Sequence, residues 1–333
     1  MLGIEHFYIY DNNSTDHPKN ELTYYIQKRI VTFIPWPDHP YGQLSAYRHC
    51  VEQFKTESFW IGFIDLDEYI VPLATKEIKE FLENYEGKNG LGINWIIYGS
   101  SGKKRKPEGL TIEHYTYRAP VEFLDNRHLK IIADPRKISA IENQHFFAYS
   151  DGSTVLDENQ QRIPFGPMSE KTNVRKMRIN HYFSRSEEEW EKKRLRGRTG
   201  GTIRPPEFFS SLDRNEVRDD VMQQYVLRLK KRVNHIKRLN EIYGKVETYL
   251  NSLKWLISKL GSSNIKLIVP PDFDWKNYVD NYQDLQEAEI NNRDKAIQHW
   301  CEFGKREGRN YLGRTSSTAC KPIKPEDKTT KIS

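Results

Sequence analysis

Along the first two hundred residues, apolar and polar positions alternate in short blocks that switch between strand-like and helix-like spacing. That is the pattern of an α/β domain. His6-Phe7-Tyr8-Ile9-Tyr10 predicts a buried strand that stops at the polar turn Asp11 to Asp16. Ile30 to Ile34 predicts a second strand, closed by Pro35-Trp36-Pro37. Gln43 to Phe54 has no breaker, and Leu44, Tyr47, Val51 and Phe54 recur at helical spacing. Phe59 to Ile64 predicts a buried strand ending in acid, and Ile78 to Tyr85 a short helix. Gly92 to Tyr98 predicts a further strand, ending in Gly99-Ser100-Ser101-Gly102.

From about Asp219 the period changes. Leu229, Val233, Ile236, Leu239, Tyr243, Val246, Leu250, Leu253, Ile257 and Leu260 step by three or four residues. This predicts a long amphipathic helix, or a helix pair broken near Gly244. Packing on the first domain is the first expectation for its apolar face, and a homodimer through a coiled coil is the alternative. Gly261-Ser262-Ser263-Asn264 and Pro270-Pro271 mark a linker, and Phe273 to Tyr311 predicts a compact helical module. The last twenty residues predict a disordered tail. The expected organisation is a domain over 1–218, a helical extension over 219–262, a small helical module over 270–312 and a tail over 313–333.

With 333 residues, 37% of them hydrophobic, the chain can build cores for two or three domains. No apolar run approaches the roughly 20 residues needed to cross a bilayer. No basic and then apolar leader follows Met1. Three widely spaced cysteines, Cys50, Cys301 and Cys320, exclude a disulfide framework and a cysteine zinc site. Together these features predict a reducing, cytoplasmic setting. The excess of 52 Lys and Arg over 46 Asp and Glu, +6, permits an anionic ligand. It falls short of the dense basic stripe of a nucleic-acid binder. The cations of the long helix, Arg228 to Arg232 and Lys237-Arg238, are read as a solvated face, with peripheral attraction to the inner face of an anionic membrane second.

The strongest chemical signal is Trp60 to Tyr69. An apolar strand delivers Asp65 and Asp67 at its carboxyl end, where open α/β sheets bind ligands. Carboxylate oxygens suit hard divalent cations, which keep waters and bridge to substrate phosphates. Such a cation would neutralise charge on a departing nucleotide. The competing reading is a strand whose acidic end merely caps the next turn; the third acid, Glu68, favours the metal. At another strand end, the Asx-rich turn Asp11 to Asp16 can hydrogen-bond a base edge and a ribose.

Taken in order, several segments resemble a nucleotide-sugar glycosyltransferase. They are Tyr10 to Asp16, Phe63 to Tyr69, Asn94-Trp95 with Gly99 to Gly102, His181-Tyr182, Ser186-x-Glu188-Glu189 and Arg196-Gly197. The likeness is to the family 2-like group with the GT-A fold that lies close to family 92, and it covers roughly residues 1 to 218. It implies a GT-A-like, Rossmann-type mixed sheet flanked by helices. It also implies inverting transfer of a sugar from a UDP- or GDP-sugar to a glycan or lipid-linked acceptor, with manganese or magnesium as cofactor.

By the same resemblance, Asp11 and Asn12 contact the base and ribose, and Gln43 and Arg48 reach the donor from the preceding helix. Asp65 and Asp67 form the metal motif, with Asp67 the direct ligand, and His181 completes the site or holds the diphosphate. Gly99, Ser100, Ser101 and Gly102 close on donor and acceptor. Arg185 stands where relatives carry lysine and keeps a phosphate-clamping charge. The inverting base is expected to be a carboxylate. Glu188 is the first candidate and Asp125 and Glu108 are rivals, against the reading of Glu187 to Glu189 as a solvated first helical turn. His145 reads as a satisfied core residue, and Lys103 to Lys106 as a solvated loop. Members of that group begin one strand and one helix earlier, with an Asn-Glu segment that supports the base. A non-catalytic sugar- or nucleotide-binding remnant is therefore the alternative expectation. Phe273 to Arg309 resembles a small helical module appended to many bacterial and viral glycosyltransferases.

Overall fold

A computed structural model of the chain describes residues 2–37, 42–197, 202–259, 270, 272–304 and 307–311, with the backbone alone at 247, 248, 251 and 253–259. The first apolar runs form β1 (Phe7–Asp11) and β2 (Val31–Pro35), paired in parallel and joined through two short helices, α1 (Pro18–Glu21) and α2 (Thr23–Gln27). The breaker-free stretch becomes α3 (Gly42–Phe54), which buries Ala46, Cys50 and Val51. β3 (Ile61–Phe63) is shorter than its pattern predicts. Ile61 and Phe63 face the core, while Phe59 and Ile64 are exposed.

β4 (Glu68–Pro72) leaves directly from the acidic cluster, a strand the alternation did not announce because four of its five residues are buried. α4 (Ile78–Leu82) and a 3-10 turn lead to β5 (Gly90–Ile97). α5 (Thr111–His114), β6 (Tyr117–Arg118) and β7 (Leu129–Ala133) follow, then the hairpin β8 (Ile138–Asn143) and β9 (Phe146–Tyr149). β10 (Met177–His181), α6 (Glu187–Arg196), α7 (Phe208–Leu212) and β11 (Val217–Arg218) precede the long helix α8 (Gln223–Lys259).

The central sheet has the order β3-β7-β5-β10-β4, with β5 and β10 parallel and the other neighbours antiparallel. β7 and β10 are buried along their whole length, so their side chains feed two apolar layers. Ile131 joins Cys50, Phe63 and Phe147 on one face. Its neighbour Ile132 joins Phe81, Leu91 and Ile179 on the other. The architecture is the mixed sheet flanked by helices that the resemblance implies. Asp219 pins the end of this region, accepting from Arg118 at 2.6 Å and from Arg178 at 2.8 Å.

The chain divides into two compact units, Met1–Thr248 and Tyr249–Ser333. α8 runs as one helix through Gly244, the single long helix of the two expected alternatives. Among the described residues, no helix is long and apolar enough to cross a membrane. In the second unit, α9 (Trp275–Asp280), α10 (Gln283–Glu287) and α11 (Arg293–His299) surround Phe273, Tyr278, Leu285, Ile297 and Trp300. Asp274 and Asn292 cap the first and third of these helices. The predicted linker at 261–264 and the tail at 313–333 lie outside the described residues.

Candidate functional site

The loop between β3 and β4 is a tight turn. Asp65 N–H donates to the Glu68 carboxylate at 2.9 Å, and Glu68 N–H donates to the Asp65 carbonyl at 3.1 Å. Leu66, between the two aspartates, points its side chain to solvent. Lys130 rises from β7, next to β3, with no exposed surface, and lies 3.1 Å from Asp65 Oδ2 and 3.4 Å from Glu68 Oε2. Gln43, at the start of α3, donates to the other Asp65 oxygen at 2.6 Å. Asp65 is thus bracketed on both oxygens. Burial pushes the Glu68 carboxyl up against the pull of Lys130. Lys130 in turn is held above its ordinary value, despite its own burial, by Tyr47, Glu68 and Asp65.

Asp67 faces a different set of partners. Its backbone carbonyl accepts from Tyr182 N–H at 2.9 Å, which fixes it beside the end of β10. Lys193 of α6 donates to Asp67 Oδ2 at 2.7 Å, and His181 Nε2 stands 3.7 Å from Oδ1. Burial by itself would raise the Asp67 carboxyl, but His181 and Lys193 outweigh it and hold it far below the ordinary carboxylate range. Burial pushes the His181 imidazole down to about 3 against the attraction of Asp67. With that ring neutral at pH 7, the lasting counter-charge on Asp67 is the Lys193 ammonium. Arg185 adds to the same positive field and holds a left-handed backbone at φ 53°. The Arg204 guanidinium lies 5.8 Å from the Phe183 ring centre, and Lys193 lies 3.9 Å over the same ring.

Behind His181, Trp95 packs at 4.3 Å between ring centres, and His128 stacks on Trp95 at 4.9 Å. His181 Nδ1, Trp95 Nε1 and Glu68 Oε1 are buried atoms with no hydrogen-bond partner, so unsatisfied polar groups collect around Asp67. Among the described residues, no three His, Cys, Asp or Glu side chains are grouped to hold a metal. A neutral imidazole nitrogen beside a carboxylate oxygen nevertheless suits a divalent ion that takes its remaining ligands from water and phosphate. The residues present fit such an ion as a two-ligand site.

The other predicted residues divide. Asn12, after β1, donates to the Trp36 carbonyl at 2.7 Å and abuts Gly42, next to Gln43. Asp11 accepts from Ser14 N–H at 3.2 Å. The carboxyl ends of β1 and β2 therefore meet the start of α3, whose Gln43 reaches Asp65. Arg48 points elsewhere, donating to the Ile141 carbonyl on β8 at 2.8 Å. Gly99 to Gly102 are tied to the segment 213–215. Ser100 Oγ donates to Asp213 at 3.1 Å, and Ser101 N–H donates to Asn215 at 2.7 Å. Ser101 Oγ accepts from Thr116 and Tyr117 N–H groups. Glu188 is exposed in the first turn of α6 and pairs with Lys192 at 2.8 Å. Asp125 lies on the 3-10 turn Leu124–Arg127, and its carbonyl is within 2.9 Å of His128 Nδ1. Glu108 is exposed, and its carbonyl meets His114.

Residues 1–219 match the sequence profile of glycosyltransferase family 92. The chain belongs to glycosyltransferase family 92. Family 92 glycosyltransferases to which it is similar include one of Oryza sativa subsp. japonica, 28% identical over 164 residues, 48% of this chain and 27% of the relative. One of Arabidopsis thaliana is 30% identical over 170 residues, 45% of this chain and 28% of the relative. One of Ricinus communis is 26% identical over 167 residues, 48% of this chain and 29% of the relative. The matched stretch thus spans under a third of the length of these curated relatives.

The family 92 match ends at residue 219, just past β11 and at the Asp219 latch. Within it, sequence reasoning missed Lys130, Lys193, Trp95 as a packing partner of His181, and His128. Lys193 carries no local signal, because it meets Asp67 across 126 residues of chain. Lys130 was discoverable: a lone lysine in Leu129-Lys130-Ile131-Ile132-Ala133 interrupts an apolar run, and a buried lysine needs a carboxylate.

Proposed function

We propose that this family 92 domain is a metal-dependent inverting glycosyltransferase that moves a sugar from a UDP- or GDP-sugar to a glycan or lipid-linked acceptor. The observation that carries the reading is the meeting of Asp67 and His181 beside Lys193, with the charges of Arg185 and Arg204 near by. One carboxylate and one neutral imidazole lie in positive surroundings that suit a diphosphate. Asp67 and His181 would hold manganese or magnesium, which when bound supplies charge neutralisation at the leaving diphosphate. Lys130 and Gln43 keep Asp65 oriented at the end of β3, and Asp11 and Asn12 offer polar groups to the base and ribose. Arg185 clamps a phosphate. A carboxylate takes the proton of the acceptor hydroxyl, with Glu188 the first candidate and Asp125 and Glu108 its rivals.

Donor hydrolysis and transfer by Asp67→Asn, with manganese present, is the test. We expect a loss of roughly a hundredfold or more in turnover with UDP binding weakened. Equal turnover in the variant and the parent would remove the assignment. A second reading, binding without turnover, draws on the lysine partner that each of Asp65 and Asp67 already holds. It predicts UDP binding by the parent with no product formed.

A further inference from the structure

We propose that Lys193 is a built-in counter-ion of Asp67, occupying the carboxylate until a divalent cation displaces it onto the phosphates of the donor. The inference rests on the metal-site reading of Asp67 and His181. Two lysine–carboxylate pairs stand side by side at this site, and they differ in kind. Lys130 has no exposed surface and bridges two carboxylates, Asp65 and the fully buried Glu68, so it cannot leave without stranding Glu68. Lys193 pairs with one, Asp67, and its side chain is 17% exposed. It also has two further partners that remain when Asp67 is taken. The ammonium donates to the Phe183 carbonyl at 3.0 Å and lies 3.9 Å over the Phe183 ring.

The helix that carries Lys193 is anchored. Ser186 and Glu189 form a reciprocal cap at the start of α6, and Tyr115 O–H donates to Glu189. Only the four-carbon stem of Lys193 has to swing. A dication at Asp67 would repel the ammonium, and Arg185 and Arg204 already make the surroundings positive. An arriving diphosphate supplies the negative charge that receives it. Cation and donor are thereby coupled: each makes room for the other.

Manganese chloride titrated into the full chain by calorimetry, first without and then with UDP, tests this without any turnover. In the parent, manganese alone should bind weakly and UDP should tighten it. Lys193→Met should bind manganese alone roughly tenfold more tightly than the parent. Its UDP-linked gain should shrink, because no ammonium waits to be moved. Lys193→Gln, which keeps a donor to the Phe183 carbonyl, should behave alike and guards against a packing defect. Asp67→Asn combined with Lys193→Met should abolish the tighter site. If both Lys193 variants bind manganese no better than the parent while Asp67→Asn abolishes binding, the counter-ion role fails and the metal site stands. If neither the parent nor the variants bind manganese, with or without UDP, the metal site itself fails and the counter-ion role with it.

Discussion

A lysine ammonium with no exposed surface keeps its charge only where carboxylates surround it, and Lys130 has Asp65 and Glu68. Replacing it by methionine strands the fully buried Glu68 and leaves the partly exposed Asp65 with Gln43. We expect Lys130→Met to lose about 3–5 kcal/mol in urea unfolding, with part of the loss recovered in Lys130→Met/Glu68→Gln. Two histidines make a second residue-scale case. Burial pushes the imidazoles of His145 and His181 down to about 3. Unfolded, they titrate near 6.5, so between about 3 and 6.5 the unfolded state binds more protons. Their contribution is fully present above about pH 6.5 and is lost as pH falls toward 3, by about 1.4 kcal/mol per pH unit for each ring. In His145→Gln, denaturation measured at several pH values from about 7 to 4.5 should show roughly half the slope these two rings give the parent. His145 was legible as a core residue from its aromatic neighbours, and its ring N sits 2.8 Å from the Leu129 carbonyl. His181 was legible only through its motif, since nothing local shows that Trp95 and Asp67 enclose it.

At the scale of elements, α6 gathers the most consequence into ten residues. Its first turn is read correctly from Ser186 to Glu189 as acids at a helix start, and the capping box confirms the boundary. What the local pattern hides is the support from the loop after Gly102. The carbonyls of Lys103 and Lys104 accept from the Glu187 and Glu188 N–H groups. The basic run thereby helps to close the helix start while its side chains stay in water. Ser186→Ala should cost about 1 kcal/mol by loss of the cap. Because α6 also positions Lys193, the same variant should loosen the Lys193–Asp67 pair, detectable as faster amide exchange along α6. The β-elements show the opposite case. β4, β7 and β10 were not announced, because strands buried on both faces lack the alternation that marks a half-exposed strand.

For the whole molecule, the two compact units have separate cores. The clusters around Ile131, Ile132 and Tyr98 belong to the first, and that around Tyr278 and Trp300 to the second. A chain ending at residue 262 should therefore unfold cooperatively with a midpoint within about 2 °C of the corresponding transition of the full chain. A single calorimetric transition that disappears on truncation would show the cores to be interdependent. The Asp219 ion pairs close the first unit, joining β6 and β10 to the start of α8 through Arg118 and Arg178.

Sequence alone determined the strand that leads into the turn of Asp65 and Asp67, the Asx turn after β1, α3, the long helix and the helical module. Each of these is written in a local period or a local polar break, and a local signal survives without knowledge of the fold. Tertiary structure alone decided which acids share a space. It sent Asp65 to Lys130 and Gln43, brought Asp67 to His181 and Lys193, left Glu188 on the surface and turned Arg48 toward β8. The reason is electrostatic: a carboxylate leaving water takes whichever cation the packing of distant strands and helices delivers, and that delivery has no period along the chain.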